Sequence, residues 1–267
     1  MSESTPSGTT AARTERTISA RGVETHLFEA GPPDAPPLLY LHGTFLGNLW
    51  LDYHQALARD FHLFAPDIPG FGLTPRPAWM NDITDYVLYY RDLLDALELE
   101  HPAIVGHSLG GWMAVEIAVW YPGRIGKLVL SDAAGIWVKG SPIADLFAMA
   151  PRETVMISFE DLTAATPLIP TDLGIDYYAR LYREATTLAA LAWNPSYDPK
   201  LERRLERITN PTLVIWGAKD RLIPPVYGEK FQQMIPGAQL VMIEGTGHMP
   251  MFEKVEEWSG AITRFLH

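Results

Sequence analysis

Short apolar runs alternate with longer amphipathic stretches along most of this chain. Pro37-Leu-Leu-Tyr-Leu41, Phe61-His-Leu-Phe-Ala65, Ala103-Ile-Val105, Leu128-Val-Leu130, Thr212-Leu-Val-Ile-Trp216 and Gln239-Leu-Val-Met-Ile243 are brief and largely apolar. Runs of this length read as strands buried in a sheet. Thr17 to Glu29 adds one or two earlier strands, with Arg21-Gly22 as a hairpin turn. Between Ile83 and about Glu98 the period changes to that of a helix. Tyr86, Tyr90, Leu93, Leu94 and Leu97 fall on one face, and Asn81-Asp82 stands where a cap belongs. Trp50–Ala58, Trp112–Trp120 and Glu256–Leu266 read as further helices. Strand and helix in alternation predict a parallel sheet covered by helices on both faces.

From about Ala133 to Thr209 the alternation stops. Ser141-Pro142 and Asp198-Pro199 each offer the N-cap and first-turn proline of a helix. Asp176 to Trp193 is a third helical stretch, and no strand intervenes. The predicted organisation is a core of residues 15–132 and 210–267, a helical insertion at 133–209, and a disordered tail at 1–14. The tail lacks the apolar centre of a signal peptide.

Composition narrows the function classes. The 267 residues, 47% of them hydrophobic, suffice for one large α/β domain. A formal net charge of −11, spread along the chain, argues against nucleic acid and anionic membrane surfaces as partners. The absence of cysteine excludes disulfides, thiolate nucleophiles and cysteine-ligated metals. No apolar run reaches the length of a membrane span. The expectation is a soluble cytoplasmic protein acting on a small molecule, with no cofactor and no metal.

The candidate chemistry centres on Gly106-His107-Ser108-Leu109-Gly110, a G-x-S-x-G sequence between a strand and a helix. In that setting the serine stands on a strained turn, and the glycines leave room for neighbouring backbone. The N–H of Leu109 then points to where an oxyanion would form. A serine nucleophile needs a base, and the base an orienting acid. Beyond Ser108 the histidines are His248 and the terminal His267, so His248 is the candidate base. Two aspartates end strands after Ser108. Asp220 is favoured because the turn Gly217-Ala-Lys-Asp220 aims its carboxylate across the sheet top; Asp132 is the rival. His42-Gly43-Thr44-Phe45 follows a strand directly. Thr44, with Phe45 next, is the candidate for the second oxyanion N–H. His42 and His107 read as structural, and Asp67, Gly70 and Gly72 as turn chemistry.

His42-Gly43, Asp67 to Gly72, Gly106 to Gly111, Asp220 and His248, in that order, resemble the α/β-hydrolase superfamily in its cofactor-free capped branch. The resemblance implies a mostly parallel eight-stranded sheet with an inserted helical cap at 133–209. It also implies a Ser108–His248–Asp220 triad acting on small, largely uncharged esters or related carbonyl compounds. Dehalogenases and epoxide hydrolases of this shape carry aspartate where this chain has Ser108. The glycine-rich stretch of meta-cleavage-product hydrolases is replaced here by Thr44-Phe45-Leu46, and the His-Gly-Gly-Gly of many lipases is missing. Perhydrolases, lyases, carbon–carbon bond hydrolases and slow-turnover ligand-binding or signalling members reuse the same triad. Phe45 and Trp137 are the foremost candidates to touch substrate, Trp137 because it leaves the sheet edge just beyond Asp132.

Overall fold

The structure, a computed structural model, describes residues 13–170 and 172–267. Strands β1 (Arg13–Ala20) and β2 (Val23–Ala30) form an antiparallel hairpin, with Ala20 opposite Val23. Arg21 and Gly22 turn it with φ of 51° and 75°, the paired positive values that suit the twist of a two-residue hairpin. Arg13 and Thr14, expected in the tail, therefore belong to a strand; residues 1–12 lie outside the described residues.

The remaining strands are β3 (Pro37–Leu41), β4 (His62–Pro66), β5 (Ala103–His107), β6 (Leu128–Ser131), β7 (Thr212–Gly217) and β8 (Gln239–Ile243). They form one eight-stranded sheet in the order β1-β2-β4-β3-β5-β6-β7-β8. Strand β2 is antiparallel to both neighbours, and every other pairing is parallel. The order reverses at β3, which has β4 on one side and β5 on the other. In open α/β sheets the crevice beyond the strand ends at such a reversal is where ligands bind.

Alternate residues of each strand feed two core layers. Leu39 and Leu41 pack with α2 (Ile83–Ala96) and α3 (Leu109–Trp120) through Tyr86, Leu93 and Met113. Leu38 and Tyr40 pack on the other face with α1 (Asp52–Leu57) and, near the C-terminus, Trp258 and Ile262. Every residue of α3 from Leu109 to Val119 is buried. That explains why its sequence carries almost no polar face. Asp82 caps α2 by accepting from the N–H groups of Thr84 at 2.8 Å and Asp85 at 3.2 Å.

Between β6 and β7 the chain builds α4 (Pro151–Ser158), a 3₁₀ segment at Leu162–Leu168, α5 (Ile175–Ala192) and a second 3₁₀ segment at Glu202–Arg207. No helix starts at Ser141-Pro142. There the Ala144 N–H donates to Leu222 C=O at 2.9 Å and the Ser141 C=O accepts from Tyr227 at 2.9 Å, so docking onto the core outcompetes the local helix signal. Asp198-Pro199 opens a turn instead, its carboxylate accepting from the Lys200 N–H at 2.7 Å. Three helices close the chain: α6 (Val226–Met234), α7 (Pro250–Glu253) and α8 (Val255–Leu266). The first two carry no sequence signal strong enough to expect them. No helix among the described residues is long and apolar enough to cross a membrane.

Candidate active site

Ser108 stands at the carboxyl end of β5, beside the sheet's reversal. Its φ of 53° and ψ of −115° place an L-residue in a region that costs about 1–3 kcal/mol. The chain enters α3 at the next residue. The flanking glycines follow from the crowding. A Cβ on Gly110 would lie 2.2 Å from the carbonyl oxygen of Leu41, and one on Gly106 would lie 2.4 Å from that of Gly110. The Ser108 N–H donates to Ser131 C=O at 3.0 Å, and its own carbonyl accepts from Trp112 at 3.1 Å and Ala134 at 3.0 Å. The strained turn is thus held by β6, by α3 and by the start of the inserted segment.

His248 and Asp220 are brought together. The Nδ1 of His248 lies 2.7 Å from Oδ2 of Asp220, with both side chains buried. A carboxylate only accepts, so Nδ1 carries the proton and Nε2 is left with its lone pair. Asp220 is oriented in turn by the N–H groups of Leu222 at 2.8 Å and Ile223 at 2.9 Å, both on Oδ1. The loop bearing His248 is fixed from two sides. Glu253 accepts from the Gly247 N–H at 2.7 Å, and the Nε2–H of His107 donates to the His248 carbonyl at 2.9 Å.

Asp132, the rival acid, ends β6 behind this pair. Its Oδ1 accepts from the Gly217 N–H at 2.8 Å and its Oδ2 from the Ser131 hydroxyl at 2.9 Å. Burial and the neighbouring Asp220 carboxylate raise its pKa well above the usual range. Asp132, Asp220 and His248 each offer a ligand-type atom, and these lie within 4.8 Å of one another. Hydrogen bonds already engage both oxygens of Asp220 and Nδ1 of His248, so the grouping is accounted for without an ion.

Thr44 and Phe45 lie in the loop after β3 and face the same cavity as Ser108 and His248. Phe45 has φ of 62°. Leu109 opens α3, and first-turn amides have no acceptor within their own helix and stand at its positive end. His42 is spoken for on both nitrogens. Nδ1–H donates to Gly43 C=O at 2.6 Å, and Nε2 accepts from the Ile68 N–H at 2.9 Å. Burial lowers its pKa, which keeps the ring neutral.

The cavity measures about 1030 Å³ and lies between the sheet's carboxyl edge and the inserted segment. Leu146, Phe147, Met149, Tyr177 and Leu188 supply much of its apolar wall. Trp137 is not part of it. Gly135 bridges to Tyr197, and Trp137 stacks on the Tyr197 ring with centroids 5.4 Å apart, 37% exposed. Arg183 and Glu184 on α5, absent from the residues the sequence singles out, also line the cavity. Glu184 accepts from the Gly72 N–H at 3.0 Å while Arg183 donates to the Gly72 carbonyl. Burial pushes the Glu184 carboxyl up to about 7. Nothing in the local sequence marks these two, because adjacent charges on an amphipathic helix read as a solvated face.

Comparison with known proteins places these features in context. A sequence profile described as the Alpha/beta hydrolase family matches residues 38–260. Lipase 3 of Moraxella sp. (strain TA144) is 30% identical, over 83% of this chain and 74% of its own. The 2-hydroxy-6-oxo-2,4-heptadienoate hydrolase of Pseudomonas putida is 27% identical, over 94% of this chain and 95% of its own. A solved serine hydrolase involved in carbazole degradation superposes with a TM-score of 0.78 at 26% identity, covering 96% of this chain and 99% of that one.

Proposed function

The chain belongs to the alpha/beta hydrolase family, and from that premise we propose that it is a serine hydrolase cleaving small, largely uncharged esters or related carbonyl compounds through an acyl-enzyme. One observation carries the reading. His248, held by Asp220 at 2.7 Å, lines with Ser108 a cavity of about 1030 Å³.

In this reading the Ser108 Oγ attacks the substrate carbonyl carbon as its proton passes to Nε2 of His248. Asp220 holds the imidazole in that tautomer and stabilises the imidazolium. The N–H groups of Leu109 and Thr44 receive the oxyanion, and one such donor contributes roughly 10²–10³ in rate. Collapse of the tetrahedral species expels the alcohol, protonated by His248. Water then attacks the acyl group with His248 again as base, releasing the carboxylic acid and free Ser108. The inserted segment serves as a lid, and its apolar wall favours uncharged acyl groups.

A second reading has a specific observation in its favour: the extent of the match to the heptadienoate hydrolase, nearly the whole of both chains. Carbon–carbon hydrolysis would use the same side chains on a ketone. One experiment separates the two. Steady-state turnover is measured on a panel of short-chain esters and on a 2-hydroxy-6-oxo-dienoate. Multiple turnover with higher kcat/KM on esters supports the first reading, and higher kcat/KM on the dienoate the second. A single burst on every substrate would point to a slow-turnover binding protein.

A further inference from the structure

Asp132 is fully buried, yet its backbone φ is 47°. Few residues with a Cβ adopt that conformation, and such strain persists where the surroundings enforce it. It sits at the end of β6 as Ser108 sits at the end of β5. The Asp132 N–H donates to Ile215 C=O at 3.0 Å, which holds the residue in place across β7. Asp132 and Asp220 each have an oxygen within 4.8 Å of the other and of a nitrogen of His248.

Facing this carboxyl are Asp220 from the loop after β7, His248 from the loop after β8 and, from α8, the Trp258 indole, which donates to the Ser131 hydroxyl at 3.1 Å. The His107 ring, from β5, is 5.0 Å from that of His248. The nearest cations in sequence are engaged elsewhere: Lys219 with Glu160, and Arg221 with the carbonyls of Met156 and Phe159. Two carboxylates this close and out of water, neither paired with a Lys or Arg among the described residues, do not both ionise. Asp220 accepts two backbone N–H groups and the imidazole N–H, whereas Asp132 accepts one N–H and one hydroxyl. The better-solvated carboxylate keeps the charge and the other keeps the proton. The raised pKa of Asp132, caused first by burial and then by Asp220, agrees in direction.

We propose that Asp132 is a positioning residue, a neutral carboxyl that shares its proton with Asp220 and limits the pair facing His248 to one negative charge. The inference rests on the reading of Asp220 and His248 as acid and base. A second charge would bind the imidazole proton too tightly for it to be returned to the leaving alcohol. The proton on Asp132 prevents this, and, shared with Asp220, it adds a further hold on that carboxylate beside the imidazole.

The test compares Asp132→Ala and Asp132→Asn, both checked for folding by circular dichroism. Alanine removes the donor to Asp220 and should lower kcat tenfold or more. Asparagine presents an N–H to Asp220 and a carbonyl to Gly217, and should recover most of that loss. The rising limb of kcat/KM against pH should stay in place in Asp132→Asn. A downward shift of that limb by about one unit would mean that the substitution had removed a charge, and would overturn the proposal. So would equal losses in the two folded variants. The second readout is the infrared C=O stretch of a protonated carboxyl, taken at about pH 8 in the Ser108→Ala background. The band should be present with Asp132 and absent with asparagine, and its absence from both proteins refutes the shared proton. This readout involves no turnover, so it stands or falls separately from the assignment of the nucleophile.

Discussion

His107 donates its Nε2–H to the main-chain carbonyl of His248 at 2.9 Å, so the residue before Ser108 fastens the loop that carries the candidate base. Burial, and next the nearby His248, push His107 well below an ordinary histidine, so the ring stays neutral and supplies one donor. The register between Ser108 and His248 therefore depends on a bond made by neither of their side chains. His107→Leu should leave the His248 carbonyl buried without a partner, at a cost of about 1–3 kcal/mol in stability. It should also lower kcat about tenfold through misplacement of the imidazole. His107→Gln can still reach that carbonyl and should lose less on both counts. Urea denaturation and kcat on a short-chain ester measure the two effects, and equal damage from leucine and glutamine would show that ring shape matters rather than the bond.

Ser108→Ala should abolish ester turnover and preserve the fold. Removing the hydroxyl leaves Gly106, Gly110 and the backbone bonds of the turn intact. A residual rate of about 10³–10⁴ over water would persist from oxyanion donors and binding. A fluorophosphonate probe should label wild type at Ser108, read by peptide mass mapping. Labelling at another serine would move the nucleophile elsewhere.

Much of this site is legible in the sequence because steric crowding writes itself into residue types. Gly106 and Gly110 have to lack a Cβ where β5 and α3 press on β3, and the spacing records that. The strands are legible for a similar reason: those in the middle of the sheet are buried on both faces, so all but a terminal position or two become apolar. What escapes is whatever depends on distant partners. Trp137 leaves the sheet edge beside Asp132, but it stacks on Tyr197 and does not line the cavity. Ser141-Pro142 has the local chemistry of a helix start, and bonds to Leu222 and Tyr227 override it. The positive φ of Asp132 has no signature at all, since aspartate is common at strand ends.

Asp220→Asn should lower kcat by up to roughly 10⁴, with a smaller effect on KM, because an amide no longer selects the Nδ1–H tautomer or balances an imidazolium. The backbone bonds from Leu222 and Ile223 go to Oδ1 and should survive in the amide, so thermal stability should change little beside kcat. Steady-state kinetics and thermal melts on the same preparation check this. A loss of stability matching the loss of activity would make Asp220 a structural residue and reopen the role of the acid.

Glu184 predicts a pH dependence of stability whose sign follows from its burial. Its carboxyl is raised from 4.5 to about 7, chiefly by desolvation, against opposing effects of the Gly72 N–H, Arg180 and Arg183. Between those two values the folded protein holds a proton that the unfolded chain has released. Stability from this group therefore falls as pH rises from about 4.5 to about 7, and is level outside that window. The full shift corresponds to at most about 3 kcal/mol, and relaxation around the cavity should reduce that to about 1–3 kcal/mol. Glu184→Gln keeps an oxygen for the Gly72 N–H and removes the titration. Glu116 carries a shift to about 7 as well, so wild type alone would not isolate the effect. The quantity to measure is the difference in urea unfolding free energy between variant and wild type, at about pH 4 and about pH 8. It should move in favour of Glu184→Gln by about 1–3 kcal/mol on going to the higher pH. A difference that stays flat across this range would mean that Glu184 titrates in the folded protein as it does in the unfolded chain, so that near neutral pH α5 is joined to Gly72 by a charged carboxylate instead of a protonated one.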